Sequence, residues 1–91
     1  MYRPKKSKRF NKSYKKLERS GVLSKKVKVD LNFAINILLR KEKLPPNYKD
    51  HKLQGKLKKY RECHIKGDIL LLYRIDEEGG SLALMNIGSH S

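Results

Sequence analysis

Apolar positions along this chain repeat with two different periods. Phe10, Tyr14 and Leu17 recur at spacings of four and three, which places them on one face of a helix. Ser20-Gly21 then supplies the C-terminal stop. Ahead of this helix, Tyr2–Lys5 reads as a short strand that Pro4 confines to a sheet edge. A second helix is predicted after Ser24, a good N-cap, because Val27, Leu31, Ala34, Ile35, Leu38 and Leu39 form one apolar stripe. Leu44-Pro45-Pro46-Asn47 is expected to end it, since the residue before a proline is pushed out of helical geometry.

Beyond the prolines the pattern becomes that of strands. His51 to Gly55 reads as a surface loop, and strand Lys58–Lys66 meets strand Ile69–Asp76 through the tight turn Gly67-Asp68. Strand Ser81–Ile87 follows the turn Glu77-Glu78-Gly79-Gly80. The most apolar run, Ile69–Ile75, is expected near the centre of the sheet. The predicted order is β-α-α-β-β-β. This is an α+β fold, with two N-terminal helices packed on one face of a small antiparallel sheet, in a single domain of residues 1–91. Alternation puts Cys63 and Ile65 on one side of their strand and Glu62 and His64 on the other. If the first pair faces the helices, His64 faces the open side.

Charge narrows the class of partner. The formal net charge is +14, and residues 1–28 hold 12 of the 23 Lys and Arg residues but a single acid, Glu18. Such a balance calls for a polyanion: RNA, DNA, an anionic membrane or an acidic protein. No apolar run approaches the ~20 residues of a membrane span. The basic start Met1-Tyr2-Arg3-Pro4-Lys5-Lys6 is not followed by an apolar stretch, so no secretory signal is expected. The lone cysteine, Cys63, excludes an intramolecular disulfide and fits a reducing cytoplasm. No close Cys/His spacing points to a metal site, and no cofactor is expected.

All three histidines lie in short polar motifs of the second half: Asp50-His51-Lys52-Leu53-Gln54-Gly55, Arg61-Glu62-Cys63-His64-Ile65-Lys66-Gly67-Asp68 and Gly88-Ser89-His90-Ser91. RNA can be cleaved by its own 2′-hydroxyl when a base removes that proton, an acid protonates the departing 5′-oxygen and cations stabilise the phosphorane. Imidazoles suit the first two tasks, and a carboxylate can share them. His51, His64, His90 and Asp68 are the proton-transfer candidates, and Lys52, Lys56, Arg61 and Arg74 the candidates for holding phosphate. Spacing alone does not bring them together. Simpler readings stand beside these. Asp68 suits a turn on conformational grounds, and Cys63 and Tyr73 suit a core. Glu62 suits a cross-sheet pair with a lysine, and the lysine-rich first helix suits solvent, RNA or an acidic protein equally.

At these motifs the run from Leu44 to Ser91 resembles the YafQ branch of the RelE/ParE toxin superfamily. Its members share Asp-His-x-Leu-x-Gly, then Arg-Glu-Cys-His-Ile-x-Pro-Asp, then an apolar strand ending in Tyr, then Gly-Ser-His-Ser. The third element stands here as Ile69 through Tyr73. The resemblance implies a toxin that cuts messenger RNA in the ribosomal A site and is held inactive in a hetero-oligomer with a cognate antitoxin. It also implies that the functional histidines and aspartate are His51, His64, Asp68 and His90, with His90 and Asp68 the preferred proton-transfer pair. The chain departs from the pattern at Gly67 (usually Pro), Ile69 (Trp in some members) and Asn86 (commonly Arg). Relatives also commonly continue past Ser91 with an acidic residue, Leu and a terminal Phe able to stack on a base. Two other functions fit the composition or the fold: a non-catalytic RNA- or ribosome-binding module, and a ParE-like gyrase inhibitor.

Overall fold

Two serines start the helices. In the computed structural model, which describes residues 1–89, Ser7 is extended and its hydroxyl accepts the Phe10 N–H at 2.9 Å. Helix α1 (Lys8–Arg19) then turns Phe10 into the core, with Tyr14 and Leu17 packed partly buried beside it. Ser24 caps α2 (Lys25–Leu39) in the same way, accepting the Val27 N–H at 3.2 Å. Val27, Leu31, Ala34, Ile37 and Leu38 form the buried stripe of α2, whereas Ile35 and Leu39 are only partly covered. This helix ends before the prolines. Lys41 takes a left-handed φ of 62°; its N–H donates to the Leu38 carbonyl at 3.0 Å, and Glu42 N–H donates to the Ile37 carbonyl at 3.1 Å. That pair of bonds is a Schellman stop, built here on a lysine where glycine is usual.

Five strands follow the order β1-β5-β4-β3-β2, where β1 is Arg3–Lys6, β2 His51–Lys52, β3 Arg61–Lys66, β4 Ile69–Asp76 and β5 Ser81–Ser89. Strands β2 to β5 pair antiparallel, but β1 lies parallel to β5, so the sheet is mixed. Two helices separate β1 from the other strands, and a long crossover permits the parallel return that a hairpin forbids. Pro4 sits on this edge strand, as expected. The sheet expected to be antiparallel is thus mixed, and two further expectations change. His51–Lys52 is a two-residue strand on the opposite edge rather than loop, and β3 starts at Arg61 rather than Lys58 because Gly55–Leu57 forms a 3₁₀ turn. Tyr60 N–H closes that turn onto the Leu57 carbonyl at 2.9 Å.

The core lies between the helices and the inner face of β3, β4 and β5. Tyr73, Leu71, Leu82, Leu84, Ile87 and Cys63 are its fully buried side chains. Ile69 is also buried. Asn86 accepts a 2.7 Å bond from the Ser13 hydroxyl and so ties α1 to β5. Burial, then the nearby Asp50 and Glu62 carboxylates, push the Cys63 thiol from 9.0 up to about 12. The folded chain therefore holds a proton that the unfolded chain releases above about pH 9. This contribution to stability is complete below pH 9 and is lost as pH rises toward 12. At neutral pH an aromatic disulfide reagent should label Cys63 only as fast as the protein unfolds; immediate labelling of the native protein would contradict this burial.

Candidate active site

Asp50 fixes the entrance to the site. The chain reaches it through the 3₁₀ turn Pro46–Tyr48 and Lys49, whose φ is 48°. The Asp50 carboxylate then accepts three bonds: from the Tyr73 hydroxyl at 2.5 Å, from Arg61 Nη2 at 2.9 Å and from Arg61 Nε at 3.3 Å. Arg61 Nε also donates to the Tyr73 oxygen at 3.3 Å. Desolvation and the adjoining carboxylate raise the Tyr73 phenol above its ordinary range, so it remains a donor. Arg61 thus shares its charge with Asp50 through Nε and Nη2 while its side chain stays partly exposed.

Residue 51 follows directly. The Lys49 carbonyl accepts from His51 Nδ1 at 2.8 Å, which leaves Nε2 as the nitrogen without a proton in the neutral ring. Nε2 lies 3.7 Å from Glu62 Oε1. In the sheet register His51 stands opposite Glu62 and Glu62 opposite Leu72, while His64 stands opposite Leu70. His51, Glu62 and His64 therefore share the face opposite Cys63, as alternation predicted for His64. The partner of Glu62 is a histidine rather than a lysine.

His64 lines a cavity of about 370 Å³ with Asp30, Asn47, Lys49 and Lys66. The Lys66 ammonium touches Lys26, and this like-charge contact lowers its pKa from the ordinary value. Next comes the Gly67-Asp68 turn, where Gly67 has φ 57°. A positive φ at the first central residue suits a two-residue hairpin, and glycine adopts it without strain. The Asp68 carboxylate accepts from the Ser89 hydroxyl at 3.2 Å. Asp68 is thus held against β5 at the residue that precedes His90 in sequence. His90 itself lies outside the described residues.

Three of the four expected phosphate ligands come together. Lys52, Arg61 and Arg74 line one cleft of about 470 Å³, completed by Lys58, Lys59 and Ile75. Lys56 sits in the 3₁₀ turn and does not line it. Lys58 and Lys59 were missed because their segment reads as the start of a strand, although the charge run Lys56-Leu57-Lys58-Lys59 was itself a signal. From this cleft the outer side of β3 leads past Glu62 to His64, about 10 Å from Arg61 at strand rise. Among the described residues no three His, Cys, Asp or Glu side chains form a metal-binding group.

A cationic cleft beside imidazoles on an open sheet face marks a small, basic α+β protein with a candidate anion-binding site. Comparison with solved structures places the chain among small bacterial toxins of this architecture. A copper-bound mutant toxin from Helicobacter pylori superposes with a TM-score of 0.87 at 40% identity, covering 99% of this chain and 96% of that one. The toxin in the DinJ–YafQ complex of E. coli superposes with a TM-score of 0.82 at 27% identity, covering 99% and 94%. Residues 2–91 match the family described as bacterial toxin of type II toxin-antitoxin system, YafQ, and the chain belongs to that family. The putative toxin YafQ of Haemophilus influenzae is 45% identical over 60 residues, a match spanning 64% of this chain and 59% of that protein. The mRNA interferase toxin YafQ of Escherichia coli K12 is 34% identical over 85 residues, covering 82% of this chain and 90% of the relative.

The hydrogen bond to the Lys49 carbonyl makes a spectroscopic prediction. Long-range ¹H–¹⁵N correlation of the neutral His51 ring should show the proton on Nδ1, and Glu62→Gln should leave that tautomer in place. A ring protonated on Nε2 would place the basic nitrogen on the wrong side.

Proposed function

We propose that this toxin is an endoribonuclease that cleaves messenger RNA in the ribosomal A site by acid/base catalysis. The observation that carries the reading is that His51, Glu62 and His64 share one face of the sheet beside a cationic cleft lined by Lys52, Arg74, Lys58 and Lys59. The naming of the E. coli relatives as mRNA interferases supports it. In the reaction a base takes the 2′-hydroxyl proton, the 2′-oxygen attacks the adjacent phosphorus and the bond to the 5′-oxygen breaks. An acid protonates that leaving oxygen, which yields a 2′,3′-cyclic phosphate and a 5′-hydroxyl end. His90 and Asp68 are the proposed proton-transfer pair. His51 and His64 position and stabilise the phosphate, and the cleft holds the flanking backbone. Ribosomal positioning of the message supplies orientation that free RNA lacks.

The physiological partner we propose is a cognate antitoxin that assembles with this chain, as DinJ does with YafQ of E. coli. Val29 and Phe33 of α2 are large apolar side chains left exposed, at 62% and 49%, and Phe33 stacks on Tyr48. They offer a protein partner the apolar anchor that nucleic acid does not need.

Primer extension on a translated message, with intact ribosomes, tests the chemistry. Discrete in-frame cuts are expected from the parent protein. They should fall by ~10²- to 10⁴-fold in His90→Ala and in Asp68→Asn, each with a native circular-dichroism spectrum. Full cutting by the double variant would remove both residues from the site, and unchanged intact message with the parent would sink the nuclease.

A further inference from the structure

Helix α1 has a second face that the proposed reaction does not use. Phe10, Tyr14 and Leu17 point inward, and Lys8, Lys12, Lys15, Lys16 and Arg19 follow the diametrically opposite stripe at spacings of four, three, one and three. They line two adjoining hollows of about 580 and 510 Å³, which share Lys12 and Lys15 and contain no acidic residue. The single acid of the helix, Glu18, is already engaged by Lys28 at 2.6 Å. Like charges at these spacings repel one another and work against the helix. The C-terminal end of the helix favours Lys16 and Arg19, but no acidic side chain lines the row, which leaves it a ready site for an outside anion.

We propose that this face of α1 is a docking surface for the phosphodiester backbone of a folded RNA, separate from the strand that is cut. Position supports the separation. α1 packs over β5, on the helix-bearing side of the sheet, whereas His51 and His64 stand on β2 and β3 on the other side. Composition selects nucleic acid over protein. A protein interface needs an apolar or aromatic centre, and α1 contributes none of the exposed large apolar side chains, which include Val29 and Phe33 of α2. Backbone recognition needs only closely spaced cations. The row from Lys8 to Arg19 is about 16 Å long at helical rise, enough for several phosphates of one strand of a duplex.

The test is fluorescence anisotropy of a labelled RNA hairpin, two helical turns in stem length, over a salt series. The variant replaces Lys12, Lys15 and Arg19 by Gln, and a control of equal charge loss replaces the exposed Lys5, Lys25 and Lys43 by Gln. The α1 variant should bind about 10-fold or more weakly, with a log–log salt slope shallower by about 2 to 3, while the control stays near the parent. Its melting temperature should equal or exceed that of the parent, because repulsion is relieved. Equal losses in variant and control would show a diffuse field and overturn the proposal. So would unchanged hairpin binding accompanied by lost binding of an acidic peptide such as oligoglutamate, which would assign the face to a protein. Hairpin binding is read without any cleavage, so its outcome and that of the nuclease reading are independent.

Discussion

The candidate site hangs on a carboxylate trapped between a guanidinium and a buried phenol. Asp50 carries no chemistry of its own in the reading above, yet its bonds to Arg61 and Tyr73 pin the segment that enters β2 against the inner face of the sheet. Because strands alternate, pinning residue 50 inward turns residue 51 outward. The Lys49 carbonyl then selects the ring orientation of His51. A two-residue edge strand has little pairing energy of its own. This charge-assisted anchor, partly screened from water, takes the place of the missing length.

Periodicity made most of the fold legible. The Ser24 cap, the edge position of the proline strand, the β3–β4 hairpin and the opposite facing of Cys63 and His64 all follow from local spacing and alternation. What escaped has a physical cause in each case. The stop after α2 uses a lysine with positive φ, and lysine is otherwise a good helix former. Strand β2 is too short for alternation to register. The parallel seat of β1 depends on which edge of the sheet is free, a property of the whole fold.

The site was legible in its residue types and less so in its pairings. Three histidine motifs and four cations were visible as chemistry, but spacing gives no sign that Arg61 pairs with Asp50 or that Glu62 faces His51. Those relations arise from the register between β2, β3 and β4, which pairs residues far apart in sequence. Lys58 and Lys59 joined the cleft because the 3₁₀ turn carries them to the mouth of β3. Charge runs in this chain are therefore not interchangeable. One lines a cleft on the sheet, another follows a helix on the far side, and only the fold tells them apart.

Strand β5 sits between β1 and β4, yet every strand it contacts precedes it in the chain. Arg3 pairs with Ser81 and Lys6 with Leu84, so the first strand has no bonding partner until β5 has been made. Asp68 likewise waits for Ser89. A nascent chain still lacking Ser81–Ser89 can neither close its sheet nor seat the carboxylate turn, and non-local closure of this kind is slow. Order of synthesis thus leaves the sheet open at its first strand until the fifth has emerged.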